Sequence, residues 1–299
     1  VAAAKRTDRQ LGILLLAVTV VGWGLNWPVV KVLLQDWPPL FARGLAGVAA
    51  AGLLAALAGW RGERILVPGR SVARLAAAGF ANVFAWMGFT TVAMQWLSVA
   101  EAALLVYTMP LWVCLLDWPI RDVRPSNRHL LALALGFGGI VVLLGGEVGG
   151  STAPGWGLGV TLALLAAILF AAATLLLRPV TEVTPVVATT WQVGLACAPM
   201  LLLGIASEHG RIGSLSPGGA LAFAYMVLGP MAACYVTWFA ALRRLPSATA
   251  AIGTLLVPVI GIVSATLLLG EPLGWRESLA MALTLSGVAL ALRKDQGDR

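Results

Sequence analysis

Apolar residues run along this chain in long stretches that neither alternate as in a half-buried strand nor leave a broad polar face as on a soluble helix. A helix crosses the hydrocarbon core of a bilayer with about 20 predominantly apolar residues. Ten segments meet that length: 11–34, 38–59, 72–96, 99–118, 128–145, 155–177, 184–206, 218–242, 247–269 and 275–292. Turn-forming residues stand at the boundaries: Pro38-Pro39, Pro68-Gly69, Pro125, Pro154-Gly155, Pro185, Pro217-Gly218, Pro246 and Pro272. No connecting stretch is long enough for a soluble domain. The pattern predicts an all-α integral membrane protein of ten transmembrane helices. The first span follows a short basic start, as in a signal peptide. Its Trp23, Asn26 and Trp27, and the want of a small-x-small cleavage site, read instead as a first helix.

The second half echoes the first at an offset of 148 residues. Leu97-Ser98-Val99-Ala100-Glu101-Ala102-Ala103 aligns with Leu245-Pro246-Ser247-Ala248-Thr249-Ala250-Ala251. In the same register Pro110 meets Pro258, Arg128 meets Arg276 and Gly139 meets Gly287. Ala and Leu identities arise by chance in such sequence, so the Pro, Arg and Gly matches carry the alignment. Two units are expected, 1–148 and 149–299, each with five spans. An odd number of spans inverts the second unit relative to the first, as in many alternating-access transporters.

Charge tests the topology. With the N-terminus in the cytoplasm, inside segments hold Lys5, Arg6 and Arg9; Arg61, Arg64, Arg70 and Arg74; Arg121, Arg124 and Arg128; Arg178; Arg243 and Arg244; and Arg293, Lys294 and Arg299. That is 16 of the 20 basic residues, against Arg211 and Arg276 outside. The asymmetry favours ten spans with both termini inside.

Composition narrows the class further. The chain is 60% hydrophobic and 11% charged, with a mean hydropathy of +0.91, where a soluble domain carries about 25% charged residues. Lipid must therefore solvate most side chains. The net charge of +7 sits in short loops rather than in a patch, which excludes nucleic acid as the partner. Cys114, Cys197 and Cys234 lie in apolar runs without metal-ligand spacing and read as small buried hydrophobes. No HExxH, GxSxG or P-loop is present. No catalytic residue, metal or cofactor is expected, and the chain reads as a monomer or weak dimer.

Polar and aromatic residues inside spans are candidate binding groups, because burying a polar group in hydrocarbon is costly. Trp23 and Asn26 lie on the first span, Asn82 and Trp86 on the third, Tyr107 on the fourth, Phe170 on the sixth, and Tyr235 and Trp238 on the eighth. Helical spacing puts Asn82, Trp86 and Phe89 on one stripe, and Met231, Tyr235 and Trp238 on another. These spans are repeat partners, so the stripes are expected to line a central cavity for a small-molecule substrate. Trp37, Trp60, Trp96, Trp118, Trp156 and Trp275, near span ends, read as interfacial. Pro110 and Pro258 interrupt repeat-related helices and are expected hinges or static kinks. Lys31, Arg43, Glu101 and Asp117 are the ionisable residues within spans. Lys31 and Arg43 are expected to snorkel outward or pair with Glu101, the one acid placed for proton coupling.

At this point the chain resembles the drug/metabolite transporter superfamily, and within it the EamA-type ten-helix carriers of bacterial inner membranes. Trp23-Gly24-x-Asn26 with Lys31, Phe41-Ala42-Arg43, Leu245-Pro246-Ser247-Ala248 followed by Pro258, and Leu269-Gly270-Glu271-Pro272 carry the likeness. The first-half counterpart of Leu-Gly-Glu departs from it, reading Ile120-Arg121-Asp122. The resemblance implies export of small metabolites, amino acids among them. The aromatic stripes lean towards an aromatic amino acid. An exporter of lipophilic cations would instead need an acid in the cavity, and a channel would need a selectivity filter or charge ring.

Overall fold

A computed structural model of the chain describes residues 2–145, 154–178 and 180–292. Helices α1 (Ala2–Asp36), α2 (Pro39–Trp60), α3 (Gly69–Ala93), α4 (Val99–Arg121), α5 (Asn127–Leu144), α6 (Trp156–Leu176), α7 (Pro185–Glu208) and α8 (Pro217–Leu242) correspond to the eight that are long and apolar enough to cross a membrane. The expected ninth span is divided into α9 (Ser247–Thr254) and α10 (Leu256–Leu269). The tenth is α11 (Trp275–Ala291), of 17 residues. No strand occurs among the described residues. The expected boundary between residues 148 and 149, and Arg293, Lys294 and Arg299, lie outside them.

Large apolar side chains occur both inside and on the surface, while the close helix contacts use small ones. Ala42, Ala46 and Ala50 of α2 and Ala163, Ala166 and Ala171 of α6 are buried, while Leu202, Leu221 and Leu267 are exposed. Lipid is as apolar as Leu, so hydrophobicity alone does not decide which side chains face inward. Small ones let helices approach closely. The most extensive contacts follow this rule, α2 against α7 and α5 against α11. Gly44 abuts Leu201 and Gly204 abuts Phe41, so α2 and α7 run antiparallel. Gly139 abuts Ala280 and Thr284, while Gly287 abuts Ala132 and Gly136. The two sets correspond to one another at the offset of 148 residues. Around these pairs, α1 packs on α8 and α10, and α6 packs on α3 and α4.

Backbone irregularities also recur. Residues Phe80–Phe89 of α3 and Gly229–Ala233 of α8 wind as π-helix. In α8 the cause is local, since Pro230 has no N–H for the ladder. The α4 helix breaks at Tyr107–Thr108, and the ninth span breaks at Leu255. Each break falls two or three residues before a proline, Pro110 or Pro258, whose ring nitrogen leaves the carbonyl four residues earlier without its helical partner.

One local turn differs from expectation. Asp122, aligned by motif with Glu271, ends α4 with φ 56°, and Gly270 ends α10 with φ 69°. Asp122 therefore does the work of the glycine, not of the glutamate. A short polar side chain tolerates the left-handed region better than most.

Candidate functional site

The long helices enclose a cavity of about 560 Å³. All eight aromatic and amide residues singled out by sequence line it: Trp23, Asn26, Asn82, Trp86, Tyr107, Phe170, Tyr235 and Trp238. They form two aromatic groups. Trp23 of α1 meets Tyr235 and Trp238 of α8, with ring centroids 5.8 and 5.6 Å apart. Trp86 of α3 meets Phe170 of α6 at 4.9 Å and Tyr107 of α4 at 6.0 Å. Tyr107 in turn lies 6.3 Å from Trp27. Such edge and tilted arrangements suit the ring quadrupoles and leave faces open to a ligand.

The irregular backbone positions this wall. The Pro230 carbonyl accepts from Trp23 Nε1 at 3.1 Å, anchoring the indole. The break at Tyr107 brings its ring to the cavity. On α3 the lining residues Asn82, Trp86, Thr90 and Met94 recur every fourth position, as the wider π turn permits. The same widening takes Phe89 off the expected stripe. It packs on Phe84 at 6.1 Å and does not line the cavity.

Arg43 is the main correction. Rather than snorkelling or pairing with Glu101, it is 6% exposed and lines the cavity. Its Nε donates to Thr91 Oγ1 at 3.2 Å, and Nη1 has no partner. The cause is tertiary: α2 packs against α7 over much of its length, which turns Arg43 inward. Two further lining atoms are buried without partners, Asn26 Oδ1 and Thr90 Oγ1. Thr189 and Gln192 of α7 also line the cavity, so the second and seventh spans contribute. Gln192 is a buried-span amide and was visible in the sequence, but nothing there says which way α7 faces. Among the described residues no Asp or Glu lines the cavity.

Lys31 and Glu101 are elsewhere, and they do not pair. Lys31 Nζ donates to the Leu97 carbonyl at 2.5 Å and lies 3.8 Å from Glu271 Oε1. Glu271 Oε2 accepts from Val99 N at 2.7 Å. Glu101 accepts from Ser98 N at 2.8 Å, closing a capping box on α4, and from Trp156 Nε1 at 2.8 Å. Its hydrogen bonds thus hold a helix start, a structural use of an acid that the sequence left open to either an ion pair or proton coupling. The cluster ties α1, α4, α6 and the end of α10 together. Trp156 belongs to it, and Trp37 donates to the Gly213 carbonyl at 2.8 Å, whereas Trp60, at 84% exposed, and Trp275 stand free of the bundle as interfacial residues would. At the other end of α1, Arg244 Nε donates to Asp8 Oδ1 at 3.0 Å.

A multi-helix membrane protein with an aromatic-lined cavity between its helices defines a carrier-like class. Family comparison makes it specific: the EamA-like transporter family matches residues 10–145 and again 157–293, and the chain belongs to that family. It is 23% identical to the uncharacterized transporter YvbV of Bacillus subtilis, over 99% of this chain and 96% of that protein. It is 27% identical to the probable amino-acid metabolite efflux pump of Salmonella typhimurium, over 94% of each. A solved crystal structure of a protein 22% identical covers 96% of both chains with a TM-score of 0.64, a likeness of fold.

Proposed function

We propose that this protein is a secondary transporter that exports small metabolites, amino acids first and aromatic ones by preference, across a bacterial inner membrane. The observation that carries the reading is the cavity. It is lined by tryptophans and tyrosines, and polar atoms without partners face it. Such sites hold an apolar body and orient it by a few polar groups. Trp23, Trp86, Tyr107, Phe170, Tyr235 and Trp238 stack on the substrate, and Asn26 and Asn82 hydrogen-bond its polar end. The relative named as an amino-acid metabolite efflux pump supports the substrate class.

In this reading ten spans form two inverted five-helix repeats, with both termini inside. The double family match, the antiparallel α2–α7 and α5–α11 pairs, and the paired π segments and breaks support it. Access alternates by rocking one repeat on the other, with Pro110 and Pro258 as hinges. The Lys31–Glu271 cluster then closes the outer side. The alternative, export of lipophilic cations, is disfavoured by a cavity that holds an arginine and, among the described residues, no acid.

Counterflow tests the function. Proteoliposomes are loaded with unlabelled tryptophan, phenylalanine, alanine or lysine, and entry of the labelled partner is followed. Transient accumulation with the aromatic pair is the expected result. Flux that never saturates and shows no counterflow would identify a channel instead.

A further inference from the structure

The cavity contains a positive charge that no acid among the described residues balances. Arg43 is buried, and among the described residues no Asp or Glu lies within ion-pair distance of it. Among the described residues its hydrogen bond is to a neutral hydroxyl. That hydroxyl, Thr91 Oγ1, is itself fixed by donating to the Met87 carbonyl at 2.6 Å. The bond orients the guanidinium while Nη1 stays free. Leaving a cation buried without a counter-charge is strongly unfavourable, and proteins otherwise pair it. We propose that Arg43 is the anchor for the carboxylate of the transported molecule.

Three features narrow the ligand. A guanidinium edge presents donors in the plane that a carboxylate accepts. Arg43 is the only Lys or Arg lining the cavity among the described residues, which matches one negative charge and leaves a phosphate dianion half neutralised. The remaining wall is largely aromatic, so the body behind the carboxylate is apolar and flat-faced. The ligand is thus a monocarboxylate on an aromatic or large apolar frame. Asn26 Oδ1, an acceptor without a donor, suits an ammonium on the same molecule. This inference rests on the cavity being the transport site. Two sources share the carboxylate chemistry: an amino acid, and an aromatic acid without an amino group.

The test uses the full chain, with binding followed by thermal stabilisation and transport by counterflow. The probes are tryptophan, its neutral amide, indole-3-propionate and tryptamine. The wild type is expected to bind the carboxylates at least roughly thirtyfold more tightly than tryptophanamide or tryptamine, as for loss of one partner of a buried charge pair. Arg43→Gln should erase that preference, and Arg43→Lys should restore part of it. Equal wild-type affinity for tryptophan and its amide overturns the proposal, whatever the variants do. So does a folded Arg43→Gln protein that still prefers carboxylates, or a wild type that binds no carboxylate probe. If indole-3-propionate is carried in an Arg43-dependent way and no amino acid is, the anchor stands and the amino-acid reading falls. If amino acids are carried equally well by Arg43→Gln, the reverse holds.

Discussion

Trp86 and Tyr235 belong to different aromatic groups of the one cavity, so each tests it independently. Alanine at either position removes a ring contact worth about 0.5–1.5 kcal/mol beyond its area. We expect a roughly two- to thirteenfold weaker apparent affinity, by that measure, in counterflow assays of protein that still melts near the wild-type temperature. Unchanged transport of every substrate by both variants would take the cavity off the path. The aromatic positions were readable from residue type inside spans, and helical spacing grouped Trp86 with Asn82 and Tyr235 with Trp238 while misplacing Phe89. The direction of Arg43 was not readable. It sits one turn into α2, where snorkelling outward and turning inward cost the sequence the same pattern.

Among the elements, α5 and α11 depend on glycine contact. A Cβ on Gly139 would strike the Ala280 carbonyl and Thr284, whereas Gly138 faces open space. Leucine at 139 should therefore lower stability by about 1–3 kcal/mol or more, the range for overpacking, while leucine at 138 should be nearly neutral. Melting temperatures of the two purified variants separate these outcomes, and similar losses at both sites would refute close packing there. The breaks in α4 and before α10 concern movement instead. Alanine at Pro110 or Pro258 supplies the missing N–H and favours a straighter helix. Substrate should still bind and stabilise these variants, with transport slowed. Wild-type turnover in the double variant would reduce the prolines to static kinks.

Across the whole molecule, the Lys31–Glu271 cluster, on the outer side in the proposed topology, joins residues far apart in sequence: Lys31, Leu97, Val99 and Glu271. If it closes that side, Lys31→Met should shift the population towards an outward-open state. Spin labels on the 95–97 and 212–215 loops would then report a longer distance component, absent or weaker in the wild type. An unchanged distribution would mean that the cluster is a fixed brace. The shift can be only as large as the free-energy difference the cluster makes between the two states.

Spans, breaks and end signals were legible in the sequence because each is a property of one helix. In lipid every backbone group must be satisfied within its own helix, so apolar length marks a span whatever surrounds it. A proline acts on its own ladder, and its paired positions mark repeated structure in one dimension. Lateral order is different. Lipid and leucine are equivalent surroundings, so hydropathy does not say which face turns inward. Only the tertiary structure could give Lys31 to Glu271 instead of Glu101, lend Asp122 the turn of a glycine, and bring Arg43 to the cavity with its charge unmatched. Those outcomes depend on which helices become neighbours, and close contact between small residues decides that.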